Sequence, residues 1–235
     1  MISVVIPAHN EEKYLPTCLK SLKQQTLNPK KFEIIIVDDH SSDQTATIAK
    51  QFGAGVIKSK VTPGKSSALN QGLEIARGEI IAAVDADSQL PPNFLARVRE
   101  AFESDPHLDA YTGVGRLVDK GRTFYPELLC SLTDLVSAFL FRWFPFLAGP
   151  GYAVKKSTLE KIGGYSNEAF EDLALAKRLK ECGAKIKLDQ NMKVFTSVRR
   201  YQALGKLAVE LETIRAYLRK HLFNKPNLWR RKAIR

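Results

Sequence analysis

Residues 79–94 read EIIAAVDADSQLPPNF. A short run of small and apolar residues passes straight into two carboxylates, Asp85 and Asp87, separated by Ala86. A continuous apolar run bounded by turn residues marks a strand covered on both faces, as in a parallel sheet. Pro91 and Pro92 then open the segment PPNFLARVREAFES (91–104), which reads as a helix because proline is tolerated at a helix start. A buried strand followed at once by a helix is part of a βαβ unit.

The same alternation runs upstream. ISVVIP (2–7) is a β-branched strand, and EEKYLPTCLKSLKQQ carries Leu15, Leu19 and Leu22 at helical spacing, with Pro16 confined to the first turn. FEIIIVDD (32–39) is a second strand. Asp43 is placed to cap the helix QTATIAKQF, which Gly53 ends; GVIKSK is a third strand, and GKSSALNQGLEIARG (64–78) is a loop, a helix and a terminating glycine. The pattern predicts an α/β fold with a mostly parallel central sheet flanked by helices. In such sheets ligands sit beyond the carboxyl ends of the strands. PAHNEE, DDHSSD and DADS all fall there, so three acidic loops share one sheet edge.

That placement gives the carboxylates a chemistry. If 85–87 continues the strand, Asp85 and Asp87 point to the same side and repel unless a cation lies between them. Mg2+ or Mn2+ favours oxygen donors and takes one or two from protein, the rest from phosphate and water. Asp39 can accept an N–H from a nucleobase edge. For Asp43 a helix-capping turn is the better reading.

The second half changes character. GVGRLVDKG suggests a strand and turn. Residues 128–154 are rich in large apolar side chains, but Asp134, Arg142 and Pro145 interrupt them before the roughly 18–20 residues that a membrane span needs. EDLALAKRLKECG (171–183) is a helix, AKIKLDQNMKVFTS (184–197) a short hairpin, and 201–222 a long helix with Leu204, Leu207, Ala208, Leu211, Ile214 and Leu218 as its stripe. His9 lies beside the first loop; His40, His107 and His221 show no metal spacing. Cys18, Cys130 and Cys182 form no C-x-x-C pair, which argues against zinc and disulfides and for reduced thiols. With no basic leader before MISVVIPAHNEE, a cytoplasmic location is expected.

The net charge is +11. Residues 199–235 hold eleven Lys and Arg against Glu210 and Glu212, so 11 − 2 = +9 of it lies in the tail. A basic amphipathic helix predicts peripheral contact with an anionic membrane on its cytoplasmic face, with FLFRWFPFL (139–147) dipping into the same interface. A solvated basic face is the bland alternative. No nucleic-acid recognition motif is present, so nucleic acid is not an expected partner.

VVIPAHNEE, IIIVDDHSSDQT, GKSSALNQGLEIARGEIIAAVDADS and GGYSNEAFEDLALAKRLKECG occur in that order. Together they resemble the family 2 glycosyltransferases of GT-A fold, over about residues 1–200. The resemblance implies a nucleotide-sugar-binding half (1–104), an acceptor and catalytic half (105–200) and a basic helical tail (201–235). It implies donor binding by Pro7, Ala8, Glu11, Asp39, Lys65 and Asp85, with Asp39 reading uracil. It implies a D-x-D metal site at Asp85 and Asp87, Asp87 being the direct ligand of Mg2+ or Mn2+. Asp172 would be the catalytic base, and Glu171 would orient the acceptor or its loop. The implied reaction is inverting transfer from a nucleotide-diphospho-sugar, a UDP-sugar, to an acceptor hydroxyl or phosphate in cell-envelope glycan or glycolipid synthesis. A lipid-linked acceptor is compatible with it.

GPGYAV (149–154) resembles the family's small-residue segment near the acceptor and reads equally as a turn. Arg199 and Arg200 stand where the family has residues that reach the diphosphate, or else they begin a solvated helix. The Q-x-x-R-W form of processive synthases is missing. Two other readings are a sugar-1-phosphate nucleotidyltransferase and a non-catalytic nucleotide-sugar-binding protein. The first needs a Gly-rich basic loop where PAHNEE is acidic; the second leaves the co-occurrence of D-x-D and ED without a use.

Overall fold

A computed structural model describes residues 1–119, 122–168 and 170–205, together with 208, 209, 211–213 and 215. The β-branched run of the N-terminus forms β1 (Ile2–Ala8), and α1 (Leu15–Lys23) starts with Pro16 in its first turn. There follow β2 (Phe32–Asp38), α2 (Thr45–Gln51), β3 (Gly55–Lys58), α3 (Lys65–Ile75) and β4 (Ile80–Val84). Next come β5 (Ser88–Gln89), α4 (Phe94–Ser104), β6 (Leu108–Asp119), β7 (Arg122–Thr123) and α5 (Glu127–Phe141). The described elements end with β8 (Gly151–Lys155), α6 (Lys156–Lys161), α7 (Glu171–Glu181), β9 (Lys185–Ser197) and α8 (Arg199–Leu204).

One sheet runs β3-β2-β1-β4-β8-β6-β9-β5, with β7 paired to β6. Its first four strands are all parallel, with Ile2 opposite both Phe32 and Ile80. β8 enters antiparallel to β4 and β6, so the sheet is mixed beyond β4. Strand alternation sorts the core into two layers. Val4 and Ile6 pack with Leu15, Leu19 and Phe94 on one face, while Val5 packs with Leu69, Leu73 and Leu175 on the other. That double cover is why β1, β2 and β4 read as unbroken apolar runs.

Two expectations change. Residues 184–197 form no hairpin: β9 is one strand lying parallel to β6. In place of a hairpin turn, the DQN segment (189–191) lies in a bulge. Thr112 pairs with Leu188 and Val114 with Lys193, so residues 189–192 oppose Gly113 alone. Asp189 is held there by the Tyr111 hydroxyl and by Arg97 Nε at 3.3 Å. Gly113 admits the bulge, because a Cβ at that position would fall on the Met192 carbonyl. The helix predicted over 201–222 is also not continuous. α8 ends at Gly205, whose φ of 83° leaves the helical region. The described residues beyond it, at 208, 209, 211–213 and 215, are helical. Of the predicted stripe, Leu204 and Leu211 are exposed, while Leu207, Ile214 and Leu218 lie outside the described residues. No described helix is long and apolar enough to cross a membrane.

Candidate functional site

At the carboxyl ends of β1 and β2 the two acidic loops are knitted together. Asn10 N donates to Ser41 Oγ (3.0 Å), Ser42 N to Asn10 Oδ1 (2.8 Å) and Glu11 N to Thr45 Oγ1 (2.7 Å). Asp43 accepts from Thr45 N and Glu12 N (2.9 and 3.1 Å), so it serves the turn before α2, as its spacing predicts. The adjacent carboxylates of IIIVDD divide their roles. Asp38 Oδ1 accepts from Ser41 N at 3.1 Å and shapes the turn. Asp39 Oδ2 accepts from Gly64 N at 2.8 Å, but its buried Oδ1 has no hydrogen-bond partner among the described residues. A buried carboxylate oxygen left unsatisfied is costly unless a ligand completes it.

Asp39 lines a cavity of about 870 Å3. Pro7, Ala8, Glu11, Lys65, Asp85, Asp87 and Asp172 line it too, so it gathers residues from all four motifs. His9 also reaches it, and its Nδ1 donates to the Asp39 carbonyl at 2.6 Å, which fixes the ring. Glu171 is the exception. It is buried behind the wall, where its Oε1 lies 2.5 Å from Lys65 Nζ, so its direct partner in the structure is the lysine. The reason is helical geometry: consecutive residues at the start of α7 point about 100° apart, so only Asp172 faces the cavity.

Asp85 and Asp87 are not on a strand. β4 stops at Val84, and a turn, with Ser88 N donating to Asp85 O at 3.0 Å, carries both carboxylates. Each is paired with its own cation instead of being aligned by a shared strand face. Lys65 Nζ sits 2.5 Å from Asp85 Oδ1 as well as from Glu171. Arg199 forks onto Glu11 (2.8 and 2.6 Å) and reaches Asp87 Oδ2 through Nε at 3.2 Å, with its guanidinium over the Tyr14 ring at 4.7 Å. Each cation is thus clamped between two carboxylates. Burial in the wall pushes the Asp85 carboxyl up to about 6, against the pull of Lys65 and with help from Asp87 and Glu171. Burial also raises Glu11, opposed by Arg199. As a donor set for a divalent cation, Asp85 and Asp87 fit: they are hard oxygen ligands in the cavity wall. No group of three or more His, Cys, Asp or Glu that could hold a metal occurs among the described residues, which leaves further coordination to phosphate and water.

Asp172 stands in the first turn of α7, where the helix dipole favours negative charge. Phe170, in the left-handed region at φ 59°, turns the chain into that helix. Asp172 Oδ1 accepts from Leu173 N at 2.9 Å. A Cβ on Gly149 would lie 2.7 Å from Oδ2, so the GPG segment gives this carboxylate its room.

Sequence reasoning missed Arg116 and the rings of Tyr125 and Tyr201, all in the cavity wall. Arg116 is buried in β6 and ion-paired with Asp134 of α5. Both residues carried a signal, a charge inside an apolar run, but only the fold shows that they neutralise each other. Arg199 and Arg200 both line the cavity, so neither is a merely solvated helix start.

The model of glycosyl transferase family 2 matches residues 3–163. The probable glycosyltransferase YdaM of Bacillus subtilis (strain 168) is 31% identical over 202 residues, covering 79% of this chain and 48% of that protein. The beta-monoglucosyldiacylglycerol synthase of Trichormus variabilis is 30% identical over 197 residues, 76% of this chain and 41% of its own length. The chain therefore spans less than half the length of either relative. Among solved structures, the mannosyltransferase PcManGT from Pyrobaculum calidifontis, in complex with GDP-Man and Mn2+, superposes with a TM-score of 0.72 at 22% identity, over 91% of this chain and 64% of that one. That similarity establishes a shared GT-A fold.

Proposed function

The chain belongs to glycosyl transferase family 2, and we propose that its cavity binds a nucleotide-diphospho-sugar and passes the sugar, with inversion, to an acceptor hydroxyl or phosphate. The observation that carries this reading is that a single cavity gathers Asp39, Asp85, Asp87 and Asp172 from separate motifs. Asp39 accepts an N–H of the base through the Oδ1 that lacks a partner among the described residues, and the family resemblance favours uracil as that base; Pro7, Ala8 and Glu11 complete the nucleoside floor. Asp87, with Asp85 beside it, would hold Mg2+ or Mn2+, which when bound neutralises the leaving diphosphate. Lys65 and Arg199 supply positive charge to the same phosphates. Asp172 takes the proton of the acceptor as it attacks the anomeric carbon from the face opposite the diphosphate, and that geometry inverts the centre. PcManGT was solved with GDP-Man and Mn2+, which supports donor and cation use of this kind. The diacylglycerol synthase relative supports a lipid-linked acceptor in glycolipid or envelope synthesis.

The test is Asp172→Asn. We expect donor affinity to persist while transfer falls by about 10^2–10^4, the range for loss of a general base. Turnover near the wild-type level, or a product retaining the donor's anomeric configuration, would overturn the assignment. Absence of transfer from the wild-type chain to any acceptor would instead favour a binding protein.

A further inference from the structure

α5 is built inside out. Its inward side carries Cys130, Asp134, Ser137, Ala138 and Phe141, the less exposed positions of the helix. Asp134 pairs with Arg116, and its carbonyl accepts from Gln190 Nε2 at 2.8 Å. The large apolar side chains face away from the protein: Leu128, Leu135 and Phe139 are 74%, 68% and 67% exposed, and Leu132, Val136 and Trp143 about half. Phe139 and Trp143 pack on each other with ring centroids 5.1 Å apart, extending the apolar face past the helix end. At 100° per residue these outward apolar positions span an arc of roughly 100°, on the side opposite the inward set. A helix packed only on a domain core has the reverse arrangement. So wide an exposed apolar face marks an interaction surface.

We propose that this face is buried in the headgroup and acyl boundary of an anionic membrane, with α5 lying in the plane. A helix of 15 residues is about 22 Å long and cannot cross a hydrocarbon core of about 30 Å, so it must lie flat. The charge around it suits an anionic surface. The single acid of 128–143, Asp134, turns inward onto Arg116. Exposed Arg142 follows the helix, and exposed Lys180 donates to the Trp143 carbonyl and stands 5.8 Å from the Phe144 ring centre. Trp and Phe flanked by cations are the composition of an interfacial helix. A second copy of the chain is the poorer occupant. Two copies of a protein of net charge +11 repel each other, whereas an anionic surface attracts each one. One flank of α5, with Leu129, Cys130 and Thr133, lines the cavity together with Leu117, Tyr125 and Tyr201. A membrane under α5 therefore lies next to the apolar and aromatic part of the cavity. The docking does not rest on the donor-site reading; only its consequence, delivery of a lipid-borne acceptor, does.

Co-sedimentation of the full chain with phosphatidylglycerol-containing vesicles tests this, compared with Leu135→Glu/Phe139→Glu. Both residues are exposed and outside the cavity wall, so the variant should match the wild type in circular dichroism and thermal unfolding. We expect partitioning to fall at least about tenfold, a difference that survives high salt because it is apolar in origin. In a Trp229→Phe background, brominated lipids should quench Trp143. The proposal is overturned if the wild type ignores anionic vesicles, if the double variant binds as well as the wild type, or if Trp143 is not quenched. It is also overturned if the double variant converts a dimer to a monomer without changing vesicle binding, which would assign the face to a second copy.

Discussion

Lys65 and Arg199, each held between two carboxylates, set the behaviour of the site residue by residue. A divalent cation arriving at Asp87 competes with Arg199, which keeps its two bonds to Glu11 when it yields. Asp87→Ala should therefore leave the fold intact and abolish cation-dependent donor binding; unchanged affinity in Mn2+ would refute the D-x-D reading. The Asp85 carboxyl, raised to about 6, adds a pH signature. A raised folded-state pKa contributes stability that is complete below the ordinary carboxylate range and is lost as the pH climbs through about 6. Ligand binding has the opposite sign, because coordination needs the ionised form. Donor affinity with Mg2+ should rise between pH 5 and 7, and the Asp85→Asn variant should lose that dependence; a flat wild-type profile would count against it. Gly149→Ala places a methyl 2.7 Å from Asp172 Oδ2. We expect it to reduce kcat with little change in donor affinity, measured by steady-state kinetics beside direct titration.

At the scale of elements, the parallel half of the sheet was legible because β1, β2 and β4 are covered on both faces and bounded by turn residues. That local pattern also placed the three acidic loops on one edge. The second half was less legible because its order depends on pairings distant in sequence. β9 pairs with β6 across a bulge, and nothing in DQN distinguishes a bulge from a hairpin turn until Gly113 stands opposite it. The strand argument for Asp85 and Asp87 failed because the pair lies one step beyond β4, where the turn and two cations from remote elements decide its geometry. The bulge is open to test. Gly113→Ala sets a Cβ on the Met192 carbonyl, which backbone cannot yield cheaply, so a cost of about 1–3 kcal/mol is expected from urea unfolding. Because β9 delivers Thr196, Ser197 and then Arg199 to the cavity, donor binding should weaken too. A variant as stable as the wild type would show that the bulge tolerates the extra atom.

For the whole molecule, the central claim is that turns and helix starts from distant parts of the chain bring their carboxylates and cations together on one cavity, proposed to hold a nucleotide-sugar. Family membership fixes the fold, while the proposed donor rests on the Oδ1 of Asp39, which has no partner among the described residues, and on the two carboxylates of the 85–87 turn. Calorimetric titration of UDP- and GDP-sugars into the full chain, in Mn2+ and in EDTA, tests this most directly. The account predicts saturable binding of a UDP-sugar in Mn2+, lost in EDTA and weakened by Asp39→Ala. Equal binding in EDTA, or no binding of any nucleotide sugar in Mn2+, would contradict it.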